Sequence, residues 1–279
     1  MPATDAVIRE AAPAKLNLAL HVTGRRADGY HLLDSLVAFA AIGDHVTLRP
    51  GPLSLSLEGP FAADLGAGAD NLCHRAARLA GGTAAITLTK TLPVASGIGG
   101  GSADAAAVLR GLARMGHPIP RDVLSLGADV PVCVASAPAR MQGIGEIVTP
   151  LDPLPDLALV LVNPGMAVAT PQVFAARGPG FGAPLPPMPR FGEPAALMAY
   201  LAQTRNDLQA PAIAVAPVIA EVLAALAATG AAFARMSGSG ATCFGIYDTP
   251  AGAQAAARTL SARGWWAVPT HLAKPRRGG

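Results

Sequence analysis

Leu92-Pro93-Val94-Ala95-Ser96-Gly97-Ile98-Gly99-Gly100-Gly101-Ser102-Ala103-Asp104 is the stretch on which the reading of this 279-residue chain turns. Four glycines fall in five positions, Gly97 and then Gly99 to Gly101, directly ahead of a segment with helical spacing. Val108, Leu109, Leu112 and Met115 recur as one buried stripe and Gly116 ends it, so a helix is expected from Ser102 or just beyond. Residues without a Cβ let a phosphate approach the main chain; successive N–H groups converge on the anion, and the helix adds the positive end of its dipole. The plainer alternative is a flexible connection from strand to helix. Spacing excludes two common nucleotide loops. A Walker A loop ends in Gly-Lys-Ser/Thr, whereas Gly101 is followed by Ser102-Ala103. A dinucleotide fingerprint needs a third glycine where this chain has Ser102 or Asp104. Ser102 can cap the helix or contact a phosphate oxygen.

Upstream, Ala14 to Val22 alternates strictly, with Leu16, Leu18, Leu20 and Val22 on one face and Lys15, Asn17, Ala19 and His21 on the other. The chain has few lysines, and Lys15 lies inside this strand beside Asn17. It reads either as a placed cation or as an edge-strand lysine facing solvent. A turn at Gly24 and Asp28-Gly29 precedes Tyr30-His31, which can stack on and hydrogen-bond a base or be ordinarily half-buried. Val46 to Leu48, Leu53 to Leu57 and Ile86 to Lys90 read as strands. Asp70 is expected to cap a helix from Asn71 to Ala80 that Gly81-Gly82 stops. Cys73-His74 has no second ligand pair nearby and is given no metal role.

Downstream, Gly127-Ala128-Asp129-Val130-Pro131 is expected to turn tightly into a strand at Val132 to Val134. Asp129 is then either a turn former or, as a lone carboxylate in an apolar stretch, a general base. A proline-rich passage from Leu151 to Pro155 opens a second pattern, so the domains are placed at 1–150 and 151–279. Leu157 to Val162 reads as a buried strand, followed by helices near Thr170 to Ala176 and Pro194 to Ala202. Ten Gly or Pro among the seventeen residues from Gly178 to Pro194 suggest an exposed insertion with freedom to move. Between Ala212 and Ala234 the only charge is Glu221, but alanine inserts weakly into membranes, and Pro217, Thr229 and Gly230 bound a helix of about three turns. Strands at Phe233 to Met236 and Thr242 to Tyr247 flank Gly238-Ser239-Gly240, either a hairpin turn or a second loop of close backbone approach. With a helix from Pro250 to Arg263 and a strand from Ala267 to Leu272, the second half reads β-α-β-β-α-β, a ferredoxin-like α+β domain.

Composition narrows the function classes. Charged residues make up 14% against about 25% in typical soluble chains, and 51% are hydrophobic, which excludes disorder. The 31 glycines and 26 prolines have no period, so collagen is excluded. Lys and Arg exceed Asp and Glu by 21 − 18 = 3, and Lys274, Arg276 and Arg277 account for that excess. A balanced body without aromatic-basic clusters argues against a nucleic-acid partner. Cys73, Cys133 and Cys243 are far apart and odd in number, as expected of a reducing cytoplasm, and Asp5 and Glu10 interrupt any signal-like apolar start.

Pro13-Ala14-Lys15-Leu16-Asn17-Leu18, the glycine loop and Arg235-Met236-Ser237-Gly238-Ser239-Gly240-Ala241 together resemble the three motifs of the GHMP kinase superfamily. Asp28-Gly29-Tyr30-His31, Asp70-Asn71-Leu72, Gly127-Ala128-Asp129, Gly143-Ile144-Gly145-Glu146 and Thr170-Pro171-Gln172-Val173-Phe174 are similar to its branch acting on a cytidine-diphosphate polyol. The likeness runs from about residue 11 to about residue 248. It implies a two-domain α+β fold, ribosomal-protein-S5-like then ferredoxin-like, binding ATP with Mg²⁺ in a cleft and acting as monomer or homodimer. It implies phosphates on Pro93, Val94, Ala95, Ser96, Gly97, Ile98, Gly99, Gly100, Gly101, Ser102 and Ala103. Asp129 would take a proton from the substrate's C2 hydroxyl, and Lys15 would orient carboxylate and hydroxyl while offsetting charge on the transferring phosphoryl. Tyr30 and Phe174 would sandwich the cytosine, His31 would bond its edge, and Asn17, Thr170, Gly238, Ser239 and Gly240 would line the pocket. Ser102 is the side chain proposed for the metal. Homoserine- and mevalonate-type kinases are the alternatives, and they have no base for Tyr30-His31 and Phe174 to hold. The sequence departs from the family at Ala95-Ser96, where glycines are common, and in the short segment Arg121 to Leu126.

Overall fold

Alternating apolar and polar residues build two long strands at the start of the chain, β1 (Ile8–Arg25) and β2 (His31–Arg49), which pair with each other. The computed structural model describes residues 7–274, so Asp5, Arg276 and Arg277 lie outside the described residues. Both faces of the middle of β1 are buried. Leu16, Leu18 and Val22 are inaccessible, but so are Asn17 and Ala19, and Lys15 and His21 are 3% and 1% exposed. Lys15 therefore does not face solvent, because its strand is covered on both sides. Two compact units form along the chain, and β1 and β2 contribute to both. One comprises residues up to Ala14, Gly43–Val94 and Gly99–Ser136, the other Lys15–Ile42, Ala95–Ile98 and the chain from Ala137 onward.

In the first unit, β3 (Ser54–Glu58) and α1 (Leu72–Leu79) precede β4 (Ala85–Thr89). β4 pairs parallel with β3, Leu55 opposite Ile86, and antiparallel with the end of β2, Val46 opposite Leu88. The cap of α1 is Asn71, not Asp70: its side-chain oxygen accepts from Cys73 N at 2.9 Å. α2 (Gly100–Arg114) begins two residues before Ser102, since Gly99 takes the left-handed N-cap conformation and two glycines join the helix. Val108, Leu109 and Leu112 bury its inner stripe, as do Leu48, Ile86 and Leu88 on the strands. Residues expected as a strand after Asp129 instead form α3 (Val130–Ala135), with Pro131 in its first turn. A short apolar run has no diagnostic period, and proline favours a helix start. Arg110 of α2 anchors this helix, donating to Cys133 O at 2.8 Å, Ala11 O at 2.6 Å and Glu10 at 3.1 Å.

In the second unit the first half of β2 pairs with β5 (Ala139–Gly143), which forms a hairpin with β6 (Ile147–Pro150). β7 (Ala158–Asn163) is followed by α4 (Thr170–Ala176), α5 (Pro194–Ala202), α6 (Gln209–Val215), α7 (Val218–Ala228), β8 (Phe233–Met236), β9 (Cys243–Tyr247), α8 (Pro250–Ser261) and β10 (Trp266–His271). The sheet runs β10-β7-β9-β8 with every pair antiparallel, the strand order of the expected ferredoxin-like arrangement. Its core joins Leu20, Val22, Val160, Val162, Ile219, Val222, Leu226 and Leu260. Pro217 divides the alanine-rich stretch into α6 and α7, and among the described residues no helix is long and apolar enough to cross a membrane.

The Gly/Pro-rich stretch is tied down where freedom was expected. Gly182 N donates to Val22 O, Leu185 N to Asp34, and Tyr200 OH to Pro186 O. His21 Nδ1 lies 2.9 Å from Ala183 O, and Leu185 and Phe191 are buried. Proline lowers the entropy that ordering such a segment costs.

Candidate active site

Two backbone loops meet at the middle of β1. Lys15 N donates to Ile98 O at 2.9 Å, so the glycine loop docks on the strand at the lysine itself. Gly97 has φ +76°, and a Cβ there would lie 2.6 Å from the carbonyl oxygens of Ser237 and Gly240; Gly238, at φ +57°, would bring its own within 2.7 Å of Gly97 O. Gly238-Ser239-Gly240 is thus both the turn between β8 and β9 and a loop of close approach. Ser237 Oγ joins the pieces, accepting from Asn17 N at 3.1 Å and donating to Gly97 O at 3.1 Å. Asn17 donates to Ser35 Oγ at 2.8 Å, while its Oδ1 is buried without a hydrogen-bond partner. Thr170 Oγ1 and Ser239 Oγ lie 2.8 Å apart. Ser96 O accepts from Thr242 N at 3.0 Å. Ala95 holds φ +50°, a conformation glycine adopts at less cost, which is where the sequence departs from the glycine-rich pattern.

The loop leads into an N-terminus suited to an anion. Gly99 supplies no side-chain cap to α2, and the first intrahelical bond is Ala103 N to Gly99 O at 2.8 Å. The amides of the first turn therefore have no intrahelical acceptor. Ser102 sits in that turn rather than capping it, its Oγ 3.8 Å from where a Gly127 Cβ would stand. Asp129, two residues after Gly127, occupies the N-cap position of α3, half-buried, with no capping bond from its side chain. The same unit thus brings Ser102 and the Asp129 turn together. Pro93 is buried and Val94 half-buried where the loop leaves the strand side.

Beneath the helix start lies a buried ionic trio that sequence reasoning passed over. Lys90 Nζ donates to Asp44 at 2.5 Å and to Asp104 at 2.9 Å, and none of the three side chains is more than 3% exposed. Burial pushes the Lys90 ammonium down, but the Asp104 and Asp44 carboxylates more than offset it, so its pKa ends above the usual value. Burial raises Asp104 to about 7 against the pull of Lys90. The signal was present: a scarce lysine at the last step before the glycine loop. Arg235 was passed over too. It is buried, donating to the carbonyls of Leu18 at 2.7 Å, Leu201 at 3.0 Å and Thr204 at 2.6 Å, and so fixes β1 beside Asn17. Desolvation brings its pKa down to about 10.

An aromatic cluster forms a separate part of the second unit. His31 stacks on Phe174 with centroids 4.5 Å apart and planes at 18°, and Phe181 meets His31 edge-on at 6.4 Å. Desolvation, with Arg25 and Arg177 adding to it, lowers the His31 pKa and favours the neutral ring. Tyr30 is 62% exposed. The ring stacked on Phe174 is therefore His31, with Tyr30 presented to solvent beside it.

Residues 66–142 match the GHMP kinases N terminal domain and residues 187–264 the GHMP kinases C terminal family. A 4-diphosphocytidyl-2-C-methyl-D-erythritol kinase of Paracoccus denitrificans is 61% identical over 268 residues, covering 95% of this chain and 97% of its own. The enzyme of that name from Dinoroseobacter shibae is 54% identical, covering 94% of this chain and 93% of its own. A crystal structure of a 4-(cytidine 5'-diphospho)-2C-methyl-D-erythritol kinase superposes with a TM-score of 0.77 at 35% identity, covering 98% of this chain and 100% of that one. Homoserine kinase from Cytophaga hutchinsonii shares the fold, with a TM-score of 0.65 at 16% identity over 100% of this chain and 98% of its own. The chain belongs to the GHMP kinases, within the family of 4-diphosphocytidyl-2-C-methyl-D-erythritol kinases.

Proposed function

We propose that this chain transfers the γ-phosphoryl group of ATP to the C2 hydroxyl of 4-diphosphocytidyl-2-C-methyl-D-erythritol. The products are the 2-phosphate and ADP, a step of non-mevalonate isoprenoid synthesis. The observation that carries the reading is 61% identity over 95% of the chain to a kinase of that name. The residues give it a chemical rationale. The uncapped start of α2 offers free amides to a polyphosphate. Lys15 is held at the strand position where the glycine loop docks, and Asp129 stands at the start of α3. We assign Lys15 the offset of charge developing on the phosphoryl group and Asp129 the acceptance of the hydroxyl proton.

The aromatic cluster favours a substrate that carries a base over homoserine or mevalonate. In this reading Phe174 and Tyr30 supply stacking surfaces, and the neutral His31 can either donate to or accept from the cytosine edge. Asn17, Thr170 and the loop at Gly238 to Gly240 line the polyol side. Among the described residues no group of three or more His, Cys, Asp or Glu is placed to hold a metal. That fits a magnesium ion bound mainly by phosphate and water, with the Ser102 hydroxyl as the side chain assigned to it. The ion would neutralise phosphate charge. Phosphate handling is assigned to residues 1–150 and completion of the polyol site to 151–279. We place the protein in the cytoplasm, as monomer or homodimer without a nucleic-acid partner, in keeping with three widely spaced cysteines and a balanced body charge.

A coupled ADP-release assay tests the proposal directly. Turnover with the cytidylylated methylerythritol should exceed that with homoserine or mevalonate by orders of magnitude. Equal or greater turnover with either alternative would overturn the substrate assignment.

A further inference from the structure

The trio Asp44, Lys90 and Asp104 is more than packing, because of what each member holds. Asp44 Oδ1 accepts from Thr91 N at 2.6 Å and Leu92 N at 2.8 Å, the last amides before the glycine loop. Thr91 Oγ1 adds a bond to Gly43 O at 2.7 Å. Asp104 belongs to the first turns of α2, where the loop ends. Lys90 Nζ bonds to both carboxylates at once, tying the exit of β4 to the entry of α2. The loop from Pro93 to Gly99 thus spans two ends fixed to a single ammonium.

Gly100 shows how closely the helix is drawn in. A Cβ there would point inward and lie 2.9 Å from Lys90 Nζ and 3.7 Å from Asp44 Oδ2. The first turn of α2 therefore rests on the ammonium. Burying three ionisable groups is an expensive way to fill a core, and well-packed apolar residues of similar volume often serve stability as well or better. Nor is the cluster saturated, since Asp104 Oδ1 is buried without a hydrogen-bond partner.

We infer that Asp44, Lys90 and Asp104 are positioning residues for the nucleotide: the trio sets the separation and tilt of the loop's two ends so that the first-turn amides of α2 converge on a polyphosphate. This inference rests on the phosphate-loop reading given above. The consequence is selective. Breaking a tie should weaken nucleotide binding and leave polyol binding unchanged, whereas a merely structural cluster would affect both or neither.

The test is calorimetric binding of a non-hydrolysable ATP analogue with magnesium, and of the cytidine-diphosphate polyol, to the full chain. Asp104→Ala should weaken the analogue about tenfold, roughly the loss of one well-placed interaction. Asp104→Asn keeps an oxygen for Lys90 Nζ and should stay within about twofold of the parent. Gly100→Ala carries the test if Asp104→Ala does not fold: alanine suits a helix, and its methyl group can only press on the ammonium, so an equal loss is expected. Polyol affinity should stay within about twofold in all three. The inference is overturned if either folded variant binds the analogue as the parent does, or if both ligands weaken together. A parent chain that binds no analogue would remove the phosphate-loop reading along with it.

Discussion

Lys15 and Asp129 concentrate the chemistry of the proposed reaction, and each is fixed by its backbone: one in a strand buried on both faces, the other at a helix start. Asp129→Asn and Lys15→Met should each reduce kcat by about a hundredfold or more, the contribution of one acid–base or charge-stabilising group. Circular dichroism and melting should show that both variants stay folded. Near-normal turnover in either would remove its assigned role. Tyr30 is largely exposed, so Tyr30→Ala should cost little stability but raise KM for the polyol about tenfold, a modest stacking energy, with KM for ATP unmoved. These residues could be picked out beforehand because their types are scarce and oddly placed: a lysine within a strand, an aromatic pair after a turn. Lys90 is equally scarce, but one residue at a strand end says nothing of the carboxylates that topology brings from β2 and α2. His31 against Phe174 was beyond reach for the same reason, as no local pattern dictates which ring pairs with which.

The strands and helices show where pattern suffices and where it fails. The succession of β7, β8, β9 and β10 followed from short apolar runs between helical segments, and the alanine-rich helix from Pro217 and Gly230 as punctuation. β5 and β6 did not, because Ala139–Gly143 and Ile147–Pro150 are short and carry no clean alternation. α3 reads as a strand in sequence because Val132 to Val134 are three apolar residues with no diagnostic period. The glycine loop shows the opposite case, in which sequence pointed to a close approach without revealing its partner. Gly97→Ala should be far more damaging than its size suggests. Its methyl would meet two carbonyl oxygens at 2.6 Å in a left-handed backbone, and relief requires parting the loop from the Gly238 turn. We expect a loss of about 1–3 kcal/mol in chemical denaturation, typical of overpacking. Unchanged stability would mean that the two loops do not interlock.

For the folded chain as a whole, acidity is a predictable weakness. His21 is 1% exposed, with Nδ1 against Ala183 O and Nε2 accepting from Arg205 N at 3.2 Å. Burial, reinforced by the Arg205 charge and opposed by the bond to Ala183 and by Asp207, holds its pKa below 6.5. The unfolded chain therefore takes up the proton first. Stability from this histidine is complete above about pH 6.5 and is lost as pH falls through the lowered native value. Protonation turns the acceptor nitrogen into a donor facing an N–H, so the anchor of the Gly/Pro-rich stretch should loosen, lowering Tm by about 2–4 °C. A Gln in place of His21 should flatten that acid limb, and an unaltered slope would assign it to other groups. The division into units also bears on how the molecule is made. Lys15 to Ile42 belongs with residues from Ala137 onward, and Leu20 and Val22 complete a core whose remaining buried members lie between Val160 and Leu260. A ribosome delivers this stretch long before its partners exist, so the nascent amino-terminal half must wait, its apolar strand uncovered, until the carboxyl-terminal sheet emerges from the exit tunnel.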